Sequence, residues 1–228
     1  MESARQQFCA SPGNCELFEG IPSVEVEQVI SIARPVEFAA GDVVYLADDP
    51  TAQVFLLTEG CVKKSQISES GQEVVLRLAV PGEIISEPTL VSGGKHSSSV
   101  LAIQDSKALS WELANFNAAL KCFPDLRKNV GRILESRLAE LSRRYWEVST
   151  KTASPRLANG LVYLVDQIGE RVDNHVEVKV SQETLGRMTG MNSFSVCRLL
   201  SKWRAQGIIR LRRETIEIHS VSHLLSLC

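Results

Sequence analysis

Three sets of side chains have the types and spacing to do chemistry. The first is cationic. Between Arg187 and Arg213 the chain carries seven Lys or Arg and no Asp or Glu. A local run of this kind suits an anionic partner, nucleic acid above all, or else a solvated surface. The second set is six cysteines, Cys9, Cys15, Cys61, Cys122, Cys197 and Cys228. Cys9 and Cys15 are close enough in sequence to pair as a disulfide, and an exposed cysteine can also link one subunit to its partner. Cys197 adjoins Arg198 inside the basic run. Oxidation of its thiol there adds bulk and charge, unless the residue is a small buried one. The third set is four scattered histidines, His96, His175, His219 and His223, with Glu83 and Glu87 as the carboxylates nearest a pocket. These do not make an acid–base pair. The chain also has no phosphate-cradling glycine loop, no HExxH and no GxSxG, so an enzyme is not expected.

The elements that position these groups follow from composition and periodicity. The net charge of -2 hides an asymmetry. Residues 1–150 carry 14 basic and 20 acidic side chains (-6), and residues 151–228 carry 11 and 7 (+4). The length of 228 residues suits one large domain or two small ones. No run of about 18 apolar residues and no apolar signal core is present, which predicts a cytoplasmic protein without a membrane contact and with cysteines mostly as thiols.

Segments between residues 20 and 112 are rich in Val, Leu and Ile and are punctuated by Gly41, Gly60, Gly71 and Gly82. This pattern predicts a small antiparallel barrel or jelly roll. The period then changes. Leu126, Val130, Leu134, Leu138, Leu141, Tyr145 and Val148 form one helical stripe, with Ile133 beside it. Such a stripe packs on a partner helix, as in a coiled-coil dimer, or caps its own barrel. STKTASP reads as a linker, with Ser154 as N-cap and Pro155 in the first turn of a helix through RLANGLVYLVDQIG. VEVKV alternates as a strand.

In VSQETLGRMTGMNSFSVCRLLSKWRAQGII, Ser181 caps a first helix, Gly190 breaks it, Ser193 caps a second and Gly207 ends that one. This is a helix-turn-helix, with Leu185, Met188, Val196, Leu199, Leu200 and Trp203 as its buried contacts. IIRLRRETIEI adds two strands around an RRE turn, a wing. The second helix is expected to enter the major groove, with the basic residues beside phosphates.

The chain resembles the Crp/Fnr family of transcription regulators over about residues 17–226, through the glycine-spaced roll, PGEII at Pro81–Ile85 and the helix-turn-helix. The resemblance implies an α+β fold. It has an N-terminal double-stranded β-helix (jelly-roll) sensor domain at 17–114, a long dimerisation helix at 115–149 and a C-terminal winged helix-turn-helix at 150–228. It implies a homodimer on a palindromic double-stranded DNA site, in contact with RNA polymerase. Carried over to this sequence, the recognition positions are Ser193, Phe194, Ser195, Arg198 and Lys202. Arg198 matches the arginine that reads guanine. Phe194 stands where many members have a glutamate. It can press on a thymine methyl or pack on its own helix.

The resemblance also frames the signal. The cyclic-nucleotide branch uses Gly-Glu followed by an arginine–serine pair. Here Gly82 and Glu83 are followed by His96, Ser97 and Ser98, so the phosphate fork is missing and His96 is expected to be an ordinary loop histidine. The oxygen-sensing branch holds an iron–sulfur cluster by four cysteines. Cys9 and Cys15 match two of the positions, while Gln6 and Ser110 stand at the others, leaving Cys61 and Cys122 as substitutes only if the fold brings them near. Haem sensing, known in the family, finds no convincing histidine. Redox control through Cys197, a small effector, or no effector remain. The competing class is a cyclic-nucleotide-binding or protein-interaction module without specific DNA binding.

Overall fold

A computed structural model describes residues 15–86 and 94–228. The described residues form two compact units, one running up to Ser70 and over Leu76–Ala139, the other made of Gly71–Val75 and Glu140–Cys228, so that one long helix is shared between them.

The first unit starts with a short 3-10 turn at Glu16–Phe18 and helix α1 (Ser23–Ser31). Seven strands follow: β1 (Arg34–Phe38), β2 (Val43–Tyr45), β3 (Gln53–Glu59), β4 (Val62–Ile67), β5 (Glu73–Ala79), β6 (Ser99–Ala102) and β7 (Ser106–Glu112). They form two sheets, ordered β1-β7-β3 and β2-β6-β4-β5. β7 pairs antiparallel with both of its neighbours, with Leu109 opposite Pro35 on one side and Leu56 on the other.

β3 is buried on both faces, because two different cores need it. Val54 and Leu56 point into a core shared with Trp111, α1 and the helices that follow β7. Phe55 and Leu57 point the other way, into the roll interior with Tyr45, Val62, Ile85 and Val100. The period of two along a strand delivers the two sets to opposite sides. Trp111 donates its indole N–H to the Val29 carbonyl at 2.7 Å, tying β7 to α1. At the β3–β4 turn, Gly60 has φ +86°, and a Cβ there would lie 2.3 Å from Ser106 Oγ. Only glycine combines that backbone with that approach.

The segment expected as one helix over 115–149 is two: α2 (Leu113–Cys122) and α3 (Pro124–Thr150). Pro124 explains the break, since the residue before a proline is pushed out of the helical region and Phe123 is extended. The apolar stripe of α3 divides in two. Leu126, Val130 and Ile133 are buried in the first core with Leu134 against them. Leu138, Leu141, Tyr145, Trp146 and Val148 are exposed.

The second unit continues with α4 (Ala153–Ile168), β8 (Gly169–Val172), β9 (His175–Lys179), α5 (Gln182–Thr189), α6 (Ser193–Ala205), β10 (Ile209–Arg212), β11 (Thr215–Ile218) and α7 (Val221–Leu225). The cap of α4 is Thr152, not Ser154, and Pro155 lies in the first turn as expected. β8, not anticipated from the sequence, completes a four-stranded sheet ordered β10-β11-β9-β8. Leu157, Leu161 and Leu164 of α4 are buried, as are Val178, Ile216 and Ile218 on one face of the sheet.

Candidate nucleic-acid interface and sensor site

α5 and α6 form the helix-turn-helix. Ser181 Oγ accepts from the Thr184 N–H at 3.0 Å, capping α5 as expected. Gly190 takes a left-handed conformation (φ 64°) and ends it. The cap of α6 is Asn192, whose Oδ1 accepts from the Ser195 N–H at 2.8 Å, and Ser193 is instead the first helical residue. This frees the Ser193 hydroxyl from capping. The helices approach closely at Gly186, where a Cβ would lie 2.8 Å from the Met191 carbonyl. Leu185, Val196, Leu200 and Trp203 are buried between them, and Met188 and Leu199 are half-buried.

That packing leaves one face of α6 outside. Ser193, Phe194, Arg198 and Lys202 are exposed and Ser195 is half-buried. Phe194 is 79 % exposed, so it does not pack on its own helix. Cys197 is also exposed, and so is not a small core residue. The wing is the β10–β11 hairpin, turning at Arg213 and Glu214 with Glu214 at φ 57°. Arg210, Arg212 and Arg213 are exposed on it. One surface helix and one hairpin thus present cations and hydroxyls, which suits phosphate contacts and base edges.

PGEII runs beside β3. Gly82 donates its N–H to the Leu57 carbonyl at 2.8 Å, and Leu57 returns one to the Glu83 carbonyl at 3.0 Å. The Glu83 carboxylate is taken up by the chain itself. Arg77 of β5 makes an ion pair and hydrogen bond with it, the Val80 N–H donates to it at 3.0 Å, and Arg137 Nη2 of α3 stands 3.8 Å away. Burial pulls the Glu83 carboxyl up from its ordinary value and outweighs the opposing pull of Arg77.

His96 is not an ordinary loop histidine. It is buried, and its ring stacks on Tyr45 with centroids 3.7 Å apart. Burial, and then the charge of Lys64, lowers its pKa. Lys64, partly buried, is itself pulled down to about 7, first by desolvation and then by Arg77. Ser98 is fully buried and Ser97 is exposed. Sequence reasoning missed Tyr45, Lys64, Arg77 and Arg137. Arg77 had a signal, a lone charge inside the apolar run VVLRLAV.

The cysteines are scattered. Cys9 and Glu87 lie outside the described residues. Cys15 and Cys61 are buried, and burial pushes their thiols up to about 11 and about 12. Both are therefore poor thiolates, which argues against their expected redox role. Cys122 is exposed, and no group of ligand atoms among the described residues joins Cys15, Cys61 and Cys122. The expected substitutes for missing cluster ligands are not brought together. Ser110 is buried in β7. Among the described residues no helix is long and apolar enough to cross a membrane.

Comparison with known proteins agrees with this architecture. Residues 35–121 match the cyclic nucleotide-binding domain family, and residues 155–227 match the Crp-like helix-turn-helix domain. A "Cyclic AMP receptor protein" of Thermus thermophilus is 25 % identical over 209 residues, 91 % of this chain and 94 % of its own length. The "Transcriptional regulatory protein btr" of Bordetella pertussis is 25 % identical over 202 residues, 87 % of this chain and 83 % of its own. Among solved structures, FixK2 from Bradyrhizobium japonicum superimposes with a TM-score of 0.76 at 20 % identity, covering 86 % of this chain and 97 % of that one. A β-roll domain, a long helix and a winged helix-turn-helix, in that order, with the roll and the helix-turn-helix each matched by its family, place this chain in the Crp/Fnr family of transcription regulators.

Proposed function

We propose that the protein is a homodimeric regulator that reads a palindromic site with α6. Ser193, Phe194, Ser195, Arg198 and Lys202 line the reading face, and Arg210, Arg212 and Arg213 of the wing hold phosphates. The observation that carries this is the division of α6. Val196, Leu200 and Trp203 are buried while the five recognition positions are exposed or half-exposed. Arg198 forks onto a guanine, and Phe194 meets a thymine methyl where a glutamate would have accepted from cytosine. The free stripe of α3 supports dimerisation, because five large apolar side chains stand exposed along one helix. A two-fold dimer sets its half-sites about 34 Å apart, one turn of DNA. RNA polymerase is the partner the family relationship suggests.

The roll answers to a signal other than cyclic AMP. Glu83 is occupied by Arg77 and flanked by Arg137, and His96 is committed to Tyr45, so neither is free for a ribose or a cyclic phosphate. Gly82, Ser97 and Ser98 complete the effector site in this reading. Exposed Cys197 beside Arg198 gives a second, redox input, since oxidation would place bulk in the groove.

Selection from random duplex DNA at several salt concentrations tests the reading. Enrichment of an inverted repeat supports it. No enriched sequence at any salt rejects it.

A further inference from the structure

We propose that the wing sheet carries a site for a first-row divalent transition-metal ion, formed by His175, Glu177 and Glu217 with His219 as a fourth donor. The register builds it. Glu177 of β9 lies directly opposite Glu217 of β11, and Val176 opposite Ile218. One step further along the same register, His175 meets His219, with ring centroids 5.5 Å apart. Alternation puts these four side chains on the face opposite Val178, Ile216 and Ile218. The ligand atoms of His175, Glu177 and Glu217 all lie within 4.8 Å of one another. His175 Nε2 is 3.3 Å from Glu177 Oε1, and His219 Nε2 is 4.0 Å from Glu217 Oε2. A tetrahedral ion with bonds of about 2.0–2.2 Å holds its ligand atoms roughly 3.3 Å apart, so the gaps among these three must close by up to about 1.5 Å, and the His219 ring, outside that group, must swing in further.

The electrostatics favour a cation here. Carboxylates directly opposite one another on a sheet repel, and Glu217 has a side chain only 1 % exposed. The wing arginines now supply the counter-charge. Arg212 makes an ion pair with Glu217, and Arg210 Nε lies 4.0 Å from it. Lys179 is engaged by Glu170 at 2.9 Å. A divalent ion would replace Arg212 at Glu217 and release two guanidiniums on the wing. Two imidazoles and two carboxylates without a thiolate suit zinc, and cobalt as its spectroscopic stand-in, better than calcium or magnesium. His175 opens β9, and His219 follows directly on β11 with its N–H donated to the Ile208 carbonyl at 3.0 Å, so both backbones are anchored before an ion binds.

The test is titration of tag-free full-length protein with Co²⁺ and then Zn²⁺, without DNA, so its outcome does not depend on the DNA-binding reading. The expected result is one ion per chain, visible d–d bands and no thiolate charge-transfer band. His175→Ala and His219→Gln are each expected to weaken Zn²⁺ binding about tenfold or more. Circular dichroism checks the fold. Should His175→Ala not fold, His219→Gln, at an exposed position, decides. No binding, a thiolate band, or an affinity unchanged in the deciding variant overturns the proposal.

Discussion

Arg77 and Glu83 form an ion pair inside the roll, with side chains 9 % and 22 % exposed. A partner removed from such a pair leaves its charge stranded, whereas apolar replacement of both is often tolerated. Glu83→Gln is therefore expected to destabilise the first unit by about 3 kcal/mol. Arg77→Met with Glu83→Leu recovers most of that loss. Urea denaturation of the three proteins checks this, and equal losses in the single and double variants would contradict it.

Lys64 gives a pH dependence of definite sign. Its pKa falls from 10.5 to about 7 in the folded protein, so the native state binds fewer protons than the unfolded chain between those values. Its contribution to stability is present above pH 10.5 and is lost as pH falls toward 7. Lys64→Met is expected to raise stability at pH 7 and to flatten the stability profile from there upward. A variant whose profile parallels the wild type would refute the assignment.

Leu138 and Tyr145 stand exposed on α3, 66 % and 77 %, so charges there leave the folded subunit intact. Leu138→Glu with Tyr145→Glu is expected to convert a dimer to a monomer. Light scattering after size exclusion reads the mass, and circular dichroism confirms the helix content. An unchanged dimer would place the subunit contact elsewhere.

Arg198 is exposed on α6. Arg198→Ala should weaken binding to the selected site by about 1–3 kcal/mol and relax preference at one base pair per half-site. Lys202→Ala should weaken binding to all sequences alike and reduce its salt dependence. Fluorescence anisotropy over a salt series separates the two.

Cys197→Ser should keep DNA affinity and make it insensitive to peroxide. If the wild type is equally insensitive, Cys197 is not a redox input.

The helix-turn-helix was legible to within one residue because its signals are local. Ser181 and Gly190 act through φ, ψ and hydrogen bonds within a few positions. The cap of α6 moved one residue because Asn192 and Ser193 are both good acceptors, and the chain path into the helix chose between them. The stripe of α3 was legible as apolar, but not that it changes environment after Leu134, since both halves have the same composition and only the fold ends the barrel there. The occupation of Glu83 by Arg77 depends on strands brought together by tertiary packing. The pairing of Glu177 with Glu217 depends on the register of two strands separated by a helix-turn-helix. Neither has a local signal beyond a charge standing among apolar neighbours.

The order β1-β7-β3 also has a consequence for synthesis. β7, Ser106–Glu112, is the central strand of its sheet and the last of the seven to be made. Until it leaves the ribosome, β1 has no strand partner, β3 has only the 82–86 segment on its other edge, and β2 likewise waits for β6. During that interval Val54, Phe55, Leu56 and Leu57, destined for burial on both faces, form an apolar strand with one edge open. Such a segment is prone to pair with other chains. The open edge of β3 is thus the part of the nascent roll with most to gain from shielding until residue 112 has emerged.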